Sequence, residues 1–286
     1  MSLKAAYSKE KNSVTFSCED DFDLEKIFEC GQCFRWNASP DGSYTGVAFS
    51  RAARIEKRGD AVTLTGTEDD FESVWRGYFD LDRSYCDVRR SLCIDDYMRR
   101  ATDYGAGIRI LRQEPWEALC SFIISQCNNI PRIKGIVERF CSLFGEPLDF
   151  EGRTVYAFPS AEKTASLSEN DLAPLRCGYR APYILAAARA VSDGVLDLDA
   201  LSKGSFEGAL SALKGIHGIG DKVANCVILF GLGMLDAFPR DVWIKRAVSE
   251  HYGKDFTPEI FGGSAGIAQQ YMFYYTREGA DPLICK

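Results

Sequence analysis

Lys222 and Asp241 are the two residues whose types and spacing suggest chemistry most directly; both lie in FEGALSALKGIHGIGDKVANCVILFGLGMLDAFPRDVWIKRAV, residues 206–248. Lys222 follows the glycine-rich run Gly215-Ile216-His217-Gly218-Ile219-Gly220, in the first turn of a helix predicted by the spacing of Val223, Val227 and Phe230. At that position the positive end of the helix and partial burial both disfavour an ammonium ion, and a neutral amine is a nucleophile. Asp241, nineteen residues on in Pro239-Arg240-Asp241-Val242, occupies an N-cap position. Taken singly, Lys222 reads as a solvated surface lysine and Asp241 as a plain cap. Taken together, beside a turn that binds phosphate, they form a coherent pair: an amine to attack a sugar C1′, and an anion to stabilise oxocarbenium-like charge as a base leaves.

The turn supplies the phosphate site. Leu210 and Leu213 close one short helix and the glycines reverse the chain into the next, a helix-hairpin-helix over about residues 206–232. Gly218 and Gly220 lack Cβ atoms, so backbone N–H groups there, with His217 beside them, can approach a phosphate whose charge the helix N-terminus favours. Such a hairpin holds DNA by its backbone without reading sequence. An ordinary helix connector also uses glycine.

These residues need a scaffold, and the composition provides for one. The 286 residues, 46% hydrophobic, 12% aromatic and 26% charged, are those of a globular protein of one large or two modest domains, which excludes disorder as the main state. The net charge of −7, from 34 basic and 41 acidic residues, excludes a bulk polycation. Most of that acidity lies in residues 1–80, whereas residues 89–112 hold six arginines and three aspartates, a possible basic surface that also reads as a solvated helix face. No apolar run approaches the roughly 18 residues of a membrane span, and the first residues lack a signal-peptide core. We therefore expect an intracellular protein, in the cytoplasm or nucleoid of a bacterium or the nucleus of a eukaryote, with Met1-Ser2-Leu3 set aside as a remnant of expression. The cysteines number eleven, an odd count scattered through apolar segments, and imply reduced thiols and no structural disulfide.

Residues 12–67 read as strands of an antiparallel sheet: SVTFSC, GSYTGVAFS, AARIEKR and AVTLTGT, separated by turns at Pro40-Asp41-Gly42 and Arg58-Gly59-Asp60. From about residue 68 the period becomes helical, with Phe71, Val74, Trp75 and Tyr78 on one face; further helices are predicted over 116–127, 132–144, 181–193 and 264–277. The fold class is α+β: a sheet domain with flanking helices over residues 1–105, then a mostly helical domain over residues 106–286.

The run Lys214 to Lys222, with Pro239-x-Asp241-Val242, resembles the helix-hairpin-helix/Gly-Pro-Asp superfamily of DNA glycosylases, and above all its 8-oxoguanine DNA glycosylase/AP lyase branch. Gly31-Gln32-Cys33-Phe34-Arg35-Trp36 is similar to that branch's G-Q-S-F-R-W, Cys127-Asn128-Asn129-Ile130-Pro131-Arg132-Ile133 to N-N-N-I-A-R-I, Gly178-Tyr179-Arg180-Ala181 to G-Y-R-A, and Ala265-Gly266-Ile267-Ala268-Gln269 to A-G-W-A-Q. The resemblance extends over nearly the whole chain and implies a TBP-like N-terminal sheet. It implies that damaged double-stranded DNA is the partner of a monomeric enzyme, and that 8-oxoguanine opposite cytosine is flipped out. Lys222 would displace the base and nick the strand by β-elimination through a Schiff base. The carbonyl of Gly31 would accept the N7–H that guanine lacks. Gln269 would read the Watson–Crick edge between Phe273 and Cys226. Arg132, Arg180 and Asn128, with Tyr179 as wedge, would meet the orphaned cytosine. The carbonyls of Lys214, Ile216 and Ile219 would hold a sodium, potassium or calcium ion. Two positions depart from the pattern: Cys127 replaces an asparagine, and Trp243 stands where close relatives carry a phosphate-contacting histidine.

Other readings fit less well. Cys30-Gly31-Gln32-Cys33 has redox or half-zinc spacing, yet Phe34-Arg35-Trp36 leads into strand-like sequence rather than a helix. With two histidines, His217 and His251, and no second C-x-x-C, zinc is poorly supplied. Only Cys285 lies beyond Cys226, so the iron–sulfur cluster of the endonuclease III branch is not expected either, and no cofactor is required. Alkylated-base glycosylases share hairpin and aspartate but lack the lysine. A non-catalytic lesion- or bend-binding module leaves the Lys222/Asp241 pair unexplained.

Overall fold

Alternating apolar residues between residues 12 and 67 do form strands, and the computed structural model describes residues 5–18 and 21–284. Met1-Ser2-Leu3 and Cys285 lie outside the described residues. Strands β1 (Ala5–Ser8), β2 (Ser13–Ser17), β3 (Asn37–Ala38), β4 (Tyr44–Ala48), β5 (Arg51–Arg58) and β6 (Ala61–Thr65) make an antiparallel sheet in the order β1-β2-β6-β5-β4-β3. The register sets Phe16 opposite Val62, and Leu64 opposite both Val14 and Ile55, so adjacent strands bury one apolar face. Arg58 opposes Ala61 across Gly59-Asp60, with Gly59 at φ +60°, and the RGD tripeptide is therefore a hairpin turn. The edge strands β1 and β3 carry no apolar alternation and add to the expected sheet.

Helix α1 (Leu24–Glu29) and a helical run made of Glu68–Asp70, Phe71–Trp75 and Arg76–Tyr78 complete the first core. Phe71, Trp75 and Tyr78 are buried in it, with Val74 at its rim, and Phe28 stacks on Trp36 at 4.4 Å. The principal helices of the second core are α2 (Tyr85–Leu92), α3 (Asp96–Tyr104), α4 (Pro115–Ile124), α5 (Ile130–Phe144), α6 (Ala181–Ser192), α7 (Phe206–Lys214), α8 (Asp221–Phe230), α9 (Val242–His251) and α10 (Ala265–Arg277). On α5 the expected stripe Ile133, Ile136, Val137 and Phe140 is buried. Helices α2 and α3 bury Tyr85, Leu92, Tyr97, Met98 and Ala101 in the helical core, while Leu111 returns to the sheet core, so the two cores interleave along residues 81–111.

The Gly31–Trp36 segment joins the cores. Cys30 and Phe34 belong to the helical one, Cys33 and Trp36 to the sheet one. Between them Arg35 enters the boundary, where it donates to the Tyr156 carbonyl and lies 3.6 Å from Glu117 on α4. Burial pushes the Glu117 carboxyl up to about 7, with Arg35 opposing the shift. The folded state thus holds this proton more tightly than the unfolded chain. Stability should fall as pH rises from about 4.5 to about 7, by at most about 1.4 kcal/mol per pH unit. Thermal melts of Glu117→Gln are expected to lack that decline; an unchanged slope would remove Glu117 as its source.

Candidate active site

The hairpin begins at α7, capped by Ser205, whose hydroxyl accepts from the Gly208 N–H at 3.1 Å, and ends in α8. An ion pair of 2.6 Å between Lys214 and Asp221 closes its base. The two glycines serve different ends. At Gly218 (φ +87°) a Cβ would fall 2.1 Å from the Tyr183 ring, so the turn and that ring require glycine there, and phosphate approach need not be invoked. Gly220 has ordinary backbone angles and open space where a Cβ would point. No side chain caps the α8 N-terminus, whose first N–H groups remain available to an anion. His217 is exposed beside it, edge-on to Tyr183.

In the first turn of α8, Lys222 reaches a pocket walled by Gly31, Phe122, Cys226, Phe230, Pro239, Asp241, Gln269, Gln270 and Phe273. It also borders a groove of about 880 Å³ that runs past Asp221, Asn225, Phe238, Arg240 and Lys245. The lysine therefore stands at the junction of a long open groove and a small pocket. Its Nζ donates to the Ser125 hydroxyl at 3.1 Å, and Ser125 in turn donates to the Phe122 carbonyl at 2.8 Å. The amine's hydrogen-bond partner is thus a neutral hydroxyl rather than a carboxylate.

Asp241 is the N-cap of α9, as expected: Oδ1 accepts from the N–H groups of Trp243 at 3.0 Å and Ile244 at 2.9 Å. Burial raises its pKa above the usual carboxylate value, while the Ile244 N–H, the Lys222 charge, the Trp243 N–H and the Arg277 charge pull the other way. Burial likewise raises the Cys226 thiol, so this wall is a neutral sulfur. On α10, Gln269 and Phe273 share one face. Gln269 is buried and its Oε1 has no hydrogen-bond partner, an unmet acceptor in the pocket wall. Gly266 allows α10 to approach so closely, because a Cβ there would lie 2.3 Å from Leu229.

Two family models cover most of this architecture: the 8-oxoguanine DNA glycosylase N-terminal domain over residues 14–119, and the HhH-GPD superfamily of base excision DNA repair proteins over residues 120–259. The chain belongs to the 8-oxoguanine DNA glycosylase family. A solved structure of MBOgg1 with a low-affinity DNA ligand superposes with a TM-score of 0.93 at 42% identity, covering 98% of this chain and 100% of that one. The Clostridium acetobutylicum 8-oxoguanine glycosylase/lyase, in complex with double-stranded DNA containing cytosine opposite 8-oxoG, gives 0.90 at 35% identity, over 98% of this chain and 99% of its own. An N-glycosylase/DNA lyase of Saccharomyces cerevisiae is 35% identical over 80% of this chain and 68% of its own length.

This glycosylase-family chain gathers the second set of expected residues at the α4–α5 turn. Arg180 is buried and donates to the carbonyls of Gln126 (2.9 Å), Cys127 (3.2 Å) and Cys177 (3.1 Å), which fixes the turn from below. Tyr179 is 51% exposed, donates to the Gln126 carbonyl at 3.3 Å, and lies against the Arg180 guanidinium. Asn128 is half-buried and donates to the Ile124 carbonyl, and Arg132 is exposed on the first turn of α5. Cys127 adopts φ +46°, a conformation that asparagine accepts more readily than cysteine. Trp243 is half-buried, with the Arg246 guanidinium 5.2 Å from its ring centroid.

Cys30 and Cys33 are buried, and burial pushes Cys30 up to about 11 and Cys33 well above the usual thiol value. Neither offers a thiolate, and Cys30 ends a helix rather than beginning one. None of the ten described cysteines is joined in a disulfide.

The sequence reading missed Ser125, Gln126, Gln270 and Arg277. Gln126 links the two halves of the site, since its Nε2 donates to the Gly218 carbonyl at 3.1 Å while its own carbonyl receives Tyr179 and Arg180. The only local signal was adjacency to the quoted motifs.

Proposed function

We infer that the protein is a bifunctional DNA glycosylase/AP lyase that removes 8-oxoguanine from double-stranded DNA and nicks the strand. The observation that carries this is Lys222, held by a neutral hydroxyl between a groove and a pocket whose wall includes the Asp241 carboxylate. In this reading the groove takes the sugar–phosphate backbone and the pocket takes the flipped base. The amine, having lost its proton, forms a bond to C1′ as the C1′–N9 bond breaks and its electron pair leaves with the base. Asp241 stabilises the positive charge at C1′. Ring opening gives the imine, and loss of a C2′ proton expels the 3′-phosphate.

Base selection follows the same geometry: the Gly31 carbonyl accepts N7–H, Gln269 meets the Watson–Crick edge, and Phe273 and Cys226 cover the faces. Guanine at Gly31 would set two acceptors against each other. The uncapped α8 N-terminus, with His217, Gly218 and Gly220, takes a phosphate, and the Trp243 indole N–H with the Arg246 guanidinium supplies donors at a second one. The carbonyls of Lys214, Ile216 and Ile219 would hold a hard monovalent or calcium ion; among the described residues Ile216 O accepts only the Ile219 N–H, at 3.1 Å, and retains a lone pair. The reaction needs no other cofactor. Among the described residues no helix is long and apolar enough to cross a membrane. The reading includes an intracellular, monomeric enzyme.

At the orphaned cytosine, exposed Arg132 is the guanidinium at hand, with Asn128 beside it and Tyr179 filling the gap. Arg180 has its donors on its own backbone and must exchange them to reach DNA. Excision of 8-oxoguanine measured opposite each of the four bases tests this: wild type should prefer cytosine, and Arg132→Ala should flatten that preference about tenfold while leaving stability intact. Arg180→Ala should lower the melting temperature as well, by unpinning the Gln126–Cys127 turn. A flat wild-type profile would discard the cytosine reading and leave the chemistry in place.

A further inference from the structure

From Ile27 to Gln32 the backbone carbonyls are taken, almost in succession, by side chains, two from the segment itself and three from elsewhere in the fold. Ile27 O accepts from Gln32 Nε2 at 2.8 Å, Phe28 O from the Cys33 thiol at 3.8 Å and Gln32 O from Gln113 Nε2 at 2.6 Å. Helix α10 supplies the two in the middle: Arg277 Nη2 donates to Glu29 O at 2.8 Å and Gln270 Nε2 to Cys30 O at 2.8 Å. Among the described residues nothing donates to Gly31 O.

Arg277 also touches Gly31 directly. A Cβ on Gly31 (φ +82°) would lie 3.2 Å from Nη1 and 3.5 Å from the Phe273 ring. The guanidinium lies 5.2 Å from the Phe273 ring centroid, and Nη1 is buried without a hydrogen-bond partner. An unmet buried donor is costly, and here it is kept against the loop and the ring that line the pocket. Gln269, Phe273 and Arg277 are spaced by four residues, so one face of α10 carries the amide in the pocket wall, the ring and the guanidinium.

We propose that Arg277 is a positioning residue for base selection: by anchoring Glu29 O and bracing Phe273 it turns the single free carbonyl, that of Gly31, into the pocket. The proposal rests on the reading of Gly31 as the acceptor for N7–H. Glycine at position 31 then has a definite cause, since the loop needs a positive φ and a Cβ there would press on the Arg277 guanidinium at 3.2 Å. Gln270 anchors the adjacent carbonyl from the same helix, so the loop cannot rotate about one fixed point.

Arg277→Leu removes the donors at similar bulk, and Arg277→Lys keeps one donor for Glu29 O. For each, amide exchange over residues 29–33 is measured in the free protein, together with single-turnover release of 8-oxoguanine opposite cytosine and cleavage of a preformed abasic site. The last uses Lys222 but reads no base. Arg277→Leu is expected to speed exchange in that segment at least about fivefold. Base release should fall on the order of 10²-fold, abasic-site cleavage no more than about threefold, and Arg277→Lys should recover part of the release. Unchanged exchange overturns the clamp. Faster exchange with unchanged base release overturns the role assigned to the Gly31 carbonyl, and the specificity role of Arg277 with it. Equal loss of base release and abasic-site cleavage overturns positioning in favour of a general structural role.

Discussion

Lys222→Gln is expected to lose 8-oxoguanine release by at least ~10³-fold and to form no borohydride-stabilised adduct, while still binding the damaged duplex. Glutamine fits the half-buried site and can still donate to Ser125, so the hairpin and its phosphate grip should survive. Its amide nitrogen carries no available lone pair for C1′. The loss would therefore be chemical, and a gel-shift assay alongside single-turnover excision separates it from a loss of binding. Retention of both release and trapping would mean that another amine attacks.

Asp241→Asn should lower base release by about 10²–10³-fold and leave the fold almost untouched. Asparagine caps a helix as well as aspartate does, so the bonds to Trp243 and Ile244 can persist while the charge is lost. Asp241→Ala loses the cap too and should cost a further 1 kcal/mol or so of stability. Cleavage of a preformed abasic site, where no base departs and little oxocarbenium charge develops, should fall much less in Asp241→Asn than base release does. The pH profile gives a second readout. Because burial holds the Asp241 pKa above its usual value, protonation on acidification begins at higher pH than for an exposed aspartate, and wild-type activity should fall early on the acid side. Asp241→Asn should lose that limb; an acid limb that persists unchanged would belong to another group.

Much of the site was legible because its residues sit in local patterns with local causes. The glycine turn before Lys222, the proline and N-cap around Asp241 and the spacing of Gln269 and Phe273 on a helix each leave a mark within ten residues, and the fold brings Gly31, Lys222, Cys226, Asp241, Gln269 and Phe273 to one pocket. Ser125, Gln270 and Arg277 act through contacts far apart in sequence: Gln270 to Cys30 and Arg277 to Glu29 span more than two hundred residues. Polar residues at such positions look like any helix surface until the partner carbonyl is seen. The same limit explains the fold. Apolar alternation revealed the central strands, but β1 is mostly exposed, and the turn at Phe49-Ser50 takes positive φ at both residues without the glycine or asparagine that announces such turns. Helices α2 and α3 followed the sheet in sequence and so were grouped with it, although their buried side chains face the other core. At Gly218 the steric need for glycine was not legible, since the Tyr183 ring that a Cβ would meet comes from α6.

The net charge of −7 remains compatible with the proposed site, in which an uncapped helix end and few cations would take the phosphate. Binding to undamaged DNA should accordingly be modest and salt-sensitive.

The most direct measurement is borohydride reduction of the wild-type protein on a duplex with 8-oxoguanine opposite cytosine, followed by peptide mass mapping of the adduct. The expected result is a single covalent sugar remnant on Lys222, formed in step with release of 8-oxoguanine. An adduct on another residue, or tight binding of the damaged duplex with neither adduct nor released base, would contradict the assignment of Lys222 as the nucleophile.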